Sequence, residues 1–195
     1  MQTVAFSDFT VFHEVLKSIP NNYQLQLSNS SAIRYAQLFT IHPTLKVFCN
    51  RGTSGIDGST STAIGASLIH NAPTVFITGD LSFLYDSNAL WNNYLRSDFR
   101  MIVVNNQGGG IFNLLPISKG PEAESYFNLL TTPHQTPLHK VIASLGLPVK
   151  VAVTKEDYQR ELDEWTKNPK LTFLEVQFND LANQDVYNNL KTVRI

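Results

Sequence analysis

The sequence predicts an α/β protein: a mostly parallel sheet of about six strands flanked by helices. Short apolar runs alternate with longer amphipathic segments along the 195 residues, the βαβ pattern that calls for a parallel sheet. Two runs, Val75-Phe76-Ile77 and Met101-Ile102-Val103-Val104, are apolar at every position, which suits central strands covered on both faces. Hydrophobic residues make up 43% of the chain. A chain of this size buries roughly 70% of its unfolded surface, so one core suffices without a disulfide or metal staple. The expectation is one domain over 1–195 with its core in 23–178.

The elements follow in order. Phe6 to Ser18 is an amphipathic helix packed outside the sheet. Tyr23 to Leu27 is a first strand. Ser30 to Phe39 is a helix with Ile33, Leu38 and Phe39 among its apolar positions. Lys46 to Cys49 is a second strand, followed by a glycine-rich loop from Arg51 to Gly58 and a small-residue helix from Ser59 to Ile69. Thr74 to Thr78 is the third strand, Asn88 to Leu95 a helix, and Met101 to Val104 the fourth strand. A long irregular stretch leads to a helix at Leu138 to Leu145 and a short strand at Val149 to Val153. Lys155 to Lys167 is a charged helix. Leu171 to Phe178, rich in apolar and aromatic residues, is the last strand. The tail from Asp180 has no assignment, and no internal repeat or low-complexity run appears.

Charge and cysteine content exclude several classes. The net charge of −1 leaves no basic footprint for nucleic acid. No apolar run reaches the about 18 residues a membrane span needs. The single cysteine, Cys49, cannot form an internal disulfide, so a reducing, cytoplasmic compartment is expected. Met1 to Ser7 lacks the basic flank and apolar stretch of a signal peptide. Charged residues are only 16%, against about 25% in an average globular protein. Surface covered by another domain or subunit needs little charge, which gives this deficit a physical cause.

In a parallel sheet of this kind, ligands sit beyond the carboxyl ends of the strands. Four predicted strand ends carry polar, glycine-rich or arginine-bearing turns: Ser28-Asn29-Ser30-Ser31 with Arg34, Asn50-Arg51-Gly52, Gly79-Asp80-Leu81-Ser82, and Asn105-Asn106-Gln107-Gly108-Gly109-Gly110. Asp80 and Asn106 offer hard oxygen donors, and a neighbouring carbonyl adds a third, the set that Mg²⁺ takes together with phosphate oxygens and water. The glycine run lets backbone approach a ligand closely. The bland alternative makes Asp80 a helix cap and Asn106 a turn residue. Ser30 and Arg34 are four apart and share a helix face. With Arg51 on the same rim they suit an organic polyanion, since guanidinium grips carboxylate in bidentate fashion. Here the alternative is a serine cap and a solvated arginine.

Other motifs fall short. Gly108 to Asn113 lacks the third glycine of a dinucleotide fingerprint. Gly52-Thr53-Ser54-Gly55 is one residue short of a nucleophile elbow. His134 and His139 have no cysteine at metal spacing and are expected to be ordinary loop and helix histidines. Phe83, Leu84, Tyr85 and Trp91 are expected in the core or an interface.

Gly79-Asp80-Leu81-Ser82 followed by Asn105-Asn106 resembles the thiamine-diphosphate signature, with Leu81 where glycine is commonest. The loop Arg51-Gly52-Thr53-Ser54-Gly55-Ile56-Asp57-Gly58, Ser28 to Arg34, Gly79 to Asp86 and Val103 to Phe112 together resemble a narrower family. That family is the 2-succinyl-5-enolpyruvyl-6-hydroxy-3-cyclohexene-1-carboxylate synthases of menaquinone biosynthesis (MenD type). The resemblance spans about Ser28 to Phe178. It implies the C-terminal, diphosphate-binding domain of a thiamine-diphosphate-dependent transferase that decarboxylates 2-oxoglutarate and adds the succinyl carbanion equivalent to isochorismate.

By the same resemblance Asp80, Asn106 and the Gly108 carbonyl hold Mg²⁺ (or Mn²⁺). Leu81, Ser82 and Gly109 lie against the cofactor, and Ile56 wedges between its rings. Ile111 and Phe112 line the reacting side, with Phe112 reaching the substrate. Asn29, Ser30, Arg34 and Arg51 hold substrate carboxylates. The glutamate that activates the cofactor belongs, in this family, to a pyrimidine-binding N-terminal domain, expected from a second subunit of a homo-oligomer. No catalytic residue is therefore expected in this chain, which is read as an inactive fragment of a longer enzyme. Another thiamine-diphosphate decarboxylase or acetolactate-synthase-like carboligase, and a non-catalytic module of the same fold, remain as alternatives.

Overall fold

Strands that are apolar on both faces need a layer of helices on each side, and the chain provides both. A computed structural model describes residues 5–114, 123–168, 170–178, 183 and 186. Its strands are β1 (Gln24–Leu27), β2 (Lys46–Cys49), β3 (Thr74–Gly79), β4 (Phe99–Asn105), β5 (Val149–Ala152) and β6 (Thr172–Gln177). They form one six-stranded sheet in the order β2-β1-β3-β4-β6-β5. Every pairing is parallel. The helices are α1 (Asp8–Ser18), α2 (Ser31–Ala36), α3 (Ser59–Ile69), α4 (Asp80–Tyr85), α5 (Ala123–Thr131), α6 (Leu138–Ser144) and α7 (Lys155–Lys167). No described helix is long and apolar enough to cross a membrane.

The period of two along each strand splits the core between the faces. Val75, Ile77, Ile102, Val104, Leu174 and Val176 face α1, α2 and α7. Phe76, Met101, Val103 and Phe173 face α3, α4 and α6. All seven residues of β4 are buried. Val11, Phe12, Val15 and Leu16 of α1 are buried in the first cluster, so the core extends beyond the expected 23–178. Arg100, at the foot of that face, is only 1% exposed. Its guanidinium lies 5.1 Å from the Trp165 ring centroid and 5.5 Å from that of Tyr23. The aromatic faces stand in for a counter-ion, and burial pushes the pKa of Arg100 below the usual value.

The strand order creates a crevice. From β1 the chain moves outward to β2, whereas from β3 it moves the other way to β4. The loops leaving two neighbouring strands therefore diverge and open a gap at their carboxyl ends.

Three helices differ from the sequence reading. The helix expected at Asn88 to Leu95 is absent; α4 starts at Asp80, and Ser87–Leu90 forms a short 3₁₀ turn. Side chains capture the backbone instead. The Asp86 carboxylate accepts from the amide and hydroxyl of Ser61, and Asn92 bonds the carbonyl of Ala89 and the amide of Tyr94. The Asn92 bonds are local and compete with helix, whereas the Asp86 bonds reach back to Ser61 of α3 and anchor the turn there. The helix expected at Ser30 to Phe39 is trimmed to α2 at both ends: Ser30 sits at φ 64°, ψ −127°, outside the helical region, and beyond Ala36 the amides of Leu38 and Phe39 bond the carbonyls of Tyr35 and Ala36, three residues back, as in a tightened last turn. The stretch left irregular contains α5. Positions 115–122 and the tail from Asp180, apart from 183 and 186, lie outside the described residues.

Candidate functional site

The crevice between β1 and β3 holds a cavity of about 150 Å³. Asn29, Ser30, Ser31 and Ala32 line it from the β1 end, Gly79 to Ser82 from the β3 end, and Asn106 with Gly108 to Phe112 from the β4 end. Ile56, in the loop after β2, completes the wall. Eleven of the thirteen residues singled out in the sequence thus share one cavity; Arg34 and Arg51 do not line it.

Asp80 opens α4 directly behind β3 and is 3% exposed. Its Oδ1 accepts from the amide of Leu81 at 2.6 Å. Its Oδ2 accepts from the amide of Gly108 at 2.8 Å and faces Nε2 of His134 at 3.2 Å. A carboxylate has about four acceptor sites, so capacity for a cation remains. The amide of Thr136 donates to Nδ1 of His134, so the neutral imidazole carries its proton on Nε2, toward Asp80. The hydrogen bond that His134 donates to Asp80 raises the pKa of His134 above its ordinary value, against the effect of burial.

Asn106 is the informative neighbour. Its Nδ2 donates to Oδ2 of Asp8 at 3.1 Å, which fixes the amide orientation and sends Oδ1 the other way. That oxygen is buried and has no hydrogen-bond partner. A buried unpaired acceptor is costly, and a hard cation is the partner this donor set suits. The carbonyl of Gly108 accepts from the amide of Gly110 at 2.9 Å, which leaves its second lone pair. An oxygen-only set of Asp80, Asn106 and Gly108 fits a divalent ion such as Mg²⁺. Among the described residues no group of three or more His, Cys, Asp or Glu is arranged to hold a metal.

The glycine run earns its place through crowding at two positions. Gly108 has φ +155°, and a Cβ there would meet the Thr131 carbonyl at 2.8 Å. A Cβ on Gly109 would meet the Phe112 ring at 3.0 Å. The carboxyl end of α5 presses on this loop, with the amide of Gly109 bonded to the Thr131 carbonyl at 2.6 Å.

The expected anion grip is partly redirected. Asn29 is 2% exposed. Its Nδ2 donates to the carbonyls of Asn50 and Gly55, and its Oδ1 accepts from Nη1 of Arg51 and from the Cys49 thiol. It therefore shapes the 50–58 loop from within the cavity wall. Arg34 Nη1 donates to the Ser30 carbonyl at 2.8 Å. Both arginines are exposed yet tied to cavity-lining residues, so their remaining donors stand at its rim. The Ser82 hydroxyl donates to the Ile56 carbonyl at 2.6 Å and holds that side chain against the cavity.

Residues 30–176 match the C-terminal TPP binding domain of the thiamine pyrophosphate enzymes. The chain belongs to that family. Among relatives of this thiamine pyrophosphate enzyme domain is the 2-succinyl-5-enolpyruvyl-6-hydroxy-3-cyclohexene-1-carboxylate synthase of Flavobacterium psychrophilum. It is 47% identical over 194 residues, covering 97% of this chain and 35% of the relative. The synthase of the same name from Christiangramia forsetii is 43% identical, over 98% of this chain and 34% of the relative. That from Flavobacterium johnsoniae is 59% identical over 71% of this chain and 25% of the relative. The chain therefore spans about a third or less of the length of these relatives. In shape it is similar to the crystal structure of benzoylformate decarboxylase from Polynucleobacter necessarius. The TM-score is 0.72 at 16% identity, over 91% of this chain and 34% of that one, a likeness in fold.

Several residues were invisible to sequence reasoning. Asp8, 98 positions before Asn106, sits in the helix expected to be peripheral. His134 and His139, expected to be ordinary, each meet a buried carboxylate: Asp80 and Glu175. Of the residues expected in the core or an interface, Phe83 is in the core, and Tyr85 and Trp91 are 65% and 72% exposed on the surface of this chain. No spacing rule links such pairs; only the sheet order brings them together.

Proposed function

We propose that this chain is the diphosphate- and metal-holding domain of a 2-succinyl-5-enolpyruvyl-6-hydroxy-3-cyclohexene-1-carboxylate synthase of menaquinone biosynthesis. The substrates are 2-oxoglutarate, which loses CO₂, and isochorismate, which accepts the succinyl unit. The observation that carries the metal part is the buried, unpartnered Oδ1 of Asn106 beside Asp80. The choice of synthase is supported by the three relatives and by two arginines at one cavity rim.

Asp80, Asn106 and the Gly108 carbonyl hold Mg²⁺ or Mn²⁺ against the cofactor diphosphate. Leu81, Ser82 and Gly109 give that diphosphate a close-fitting wall. Ile56 supports the cofactor's bent shape, and Ile111 and Phe112 exclude water from the reacting side. When bound, thiamine diphosphate supplies the electron sink for decarboxylation. Ser30, Arg34 and Arg51 hold carboxylates, a task for which a guanidinium fork is well suited. Asn29 acts one step back, by fixing the Arg51 loop.

The cavity of about 150 Å³ is smaller than the roughly 300–1,000 Å³ of a complete small-molecule site. This favours a second surface closing over it: a pyrimidine-binding domain bearing the activating glutamate, from a partner subunit in a cytoplasmic homo-oligomer. Exposed Ile69, Tyr85, Trp91 and Leu129 are apolar enough to be covered by such a partner.

The test is carboligation by the complete enzyme. Asp80→Ala and Asn106→Ala are expected to lower kcat at least about a hundredfold and to weaken Mn²⁺ binding. Arg34→Ala is expected to raise the KM of one dicarboxylate substrate about tenfold with a smaller change in kcat. Turnover of pyruvate in preference to 2-oxoglutarate would favour another carboligase. Unchanged activity in both metal-site variants would point to a non-catalytic module.

A further inference from the structure

Glu175 is a buried carboxylate that the proposed reaction does not use. It lies on β6 with no exposed surface. Everything within reach is a donor. Asn105 Nδ2 approaches Oε1 at 2.6 Å, and the amide of Leu138 approaches the same oxygen at 3.3 Å. The amide of His139 approaches Oε2 at 2.7 Å, and the His139 ring Nδ1 lies at 2.6 Å. A carboxylate only accepts, so Nδ1 of His139 carries its proton toward Glu175. These bonds are charge-assisted and sit in a low-dielectric core, where they are strongest.

Asn105 passes this anchorage on. Its Oδ1 accepts from the amide of Gln107 at 3.1 Å. Gln107 itself is left-handed at φ 68°, a strained conformation for that residue. The turn so fixed carries Asn106 and Gly108, two of the three proposed metal donors. The far side is tied to the same post. Glu175 caps the start of α6, and the segment just before it brings the amide of His134 to the Gln107 carbonyl at 3.1 Å.

We infer that Glu175 is a positioning residue for the metal site, acting through the Asn105 side chain to set the turn that aims Asn106 and Gly108. This rests on the metal site proposed above. The all-donor surroundings explain why the residue is a glutamate. In Glu175→Gln one oxygen becomes an NH₂ group that must face a donor, although size and shape are kept.

The experiment is Mn²⁺ titration of the complete enzyme by electron paramagnetic resonance with thiamine diphosphate present, with melting curves as a check on folding. Glu175→Gln is expected to raise the Mn²⁺ Kd about tenfold or more, with kcat recovering at saturating metal. Asn105→Ser cuts the link while leaving the α6 cap intact, and is expected to do the same. It decides the matter alone if Glu175→Gln does not fold. Kd values within about twofold of the unmodified enzyme in Asn105→Ser overturn the inference, even if Glu175→Gln weakens binding, because the effect then runs through α6. If the unmodified enzyme binds no Mn²⁺ with thiamine diphosphate, the proposed function falls and this inference with it. If it binds and neither variant changes the Kd, the inference alone falls.

Discussion

Asn106 shows how much a single buried atom decides. Its nitrogen belongs to Asp8, and the orientation this imposes leaves its oxygen without a protein partner. Asp80 and Asn106 were legible in the sequence because hard donors at neighbouring strand ends suit Mg²⁺. Asp8 was not, because nothing local marks it. Gly108 makes the point about shape. Its φ of +155° and the Thr131 carbonyl 2.8 Å from any added Cβ mean that Gly108→Ala must push backbone aside. The expected result is a loss of about 1–3 kcal/mol in stability, read by denaturant unfolding, together with weaker Mn²⁺ binding. Ser30, at φ 64°, is the other strained residue on the cavity wall. Its conformation sets where α2 can begin, one residue later than apolar spacing predicts.

At the scale of elements, short polar side chains separate what pattern predicts from what forms. Asn88 to Leu95 has helical spacing, yet Asn92 donates to the Ala89 carbonyl and accepts from the Tyr94 amide, Asp86 is held by the Ser61 amide of α3, and the segment becomes turns. β3 and β4 were legible because a run with no polar interruption has one destination, the centre of the sheet. Between α6 and β6 the controlling group is Glu175. Burial pushes its pKa up, but donors from Asn105, His139 and Gln177 outweigh this and hold it below the ordinary value. A lowered folded-state pKa stabilises the protein fully above the unfolded value of about 4.3, and that part is lost as pH falls through the folded value. Melting temperature should therefore drop as pH is lowered below about 4.3, and Glu175→Gln should flatten that part of the profile.

Across the whole molecule, the sheet order decides where chemistry can occur. The outgoing loops of β1 and β3 diverge, so the crevice exists before any side chain is placed in it. Stability is distributed as unevenly as burial. Phe76 is fully buried between β1 and β4, whereas Ile69 is 82% exposed at the end of α3. Phe76→Ala is expected to destabilise by about 3–5 kcal/mol, and Ile69→Lys by no more than about 0.5 kcal/mol in the isolated chain, both measured by chemical denaturation. The low charge noted in the sequence has a matching surface: Val47, Phe48, Leu68, Ile69, Tyr85 and Trp91 are large, apolar and exposed. Single exposed apolar residues are ordinary, but six from β2 through the turn after α4 are consistent with a covered face.

By itself the sequence determined the fold class, the four strand ends and most of the cavity wall. Each of these follows from local signals: uninterrupted apolar runs, glycine-rich turns, and hard donors directly after strands. Only the tertiary structure decided which long-range partner each polar atom meets. Asp8 reaches Asn106, His134 reaches Asp80 and Glu175 reaches Asn105. It also turned Asn29 from a carboxylate grip into the support of the Arg51 loop. Hydrogen-bond pairing across 54 to 98 residues leaves no periodicity in the chain; it is set by strand order and by the rule that a buried polar atom must find a partner.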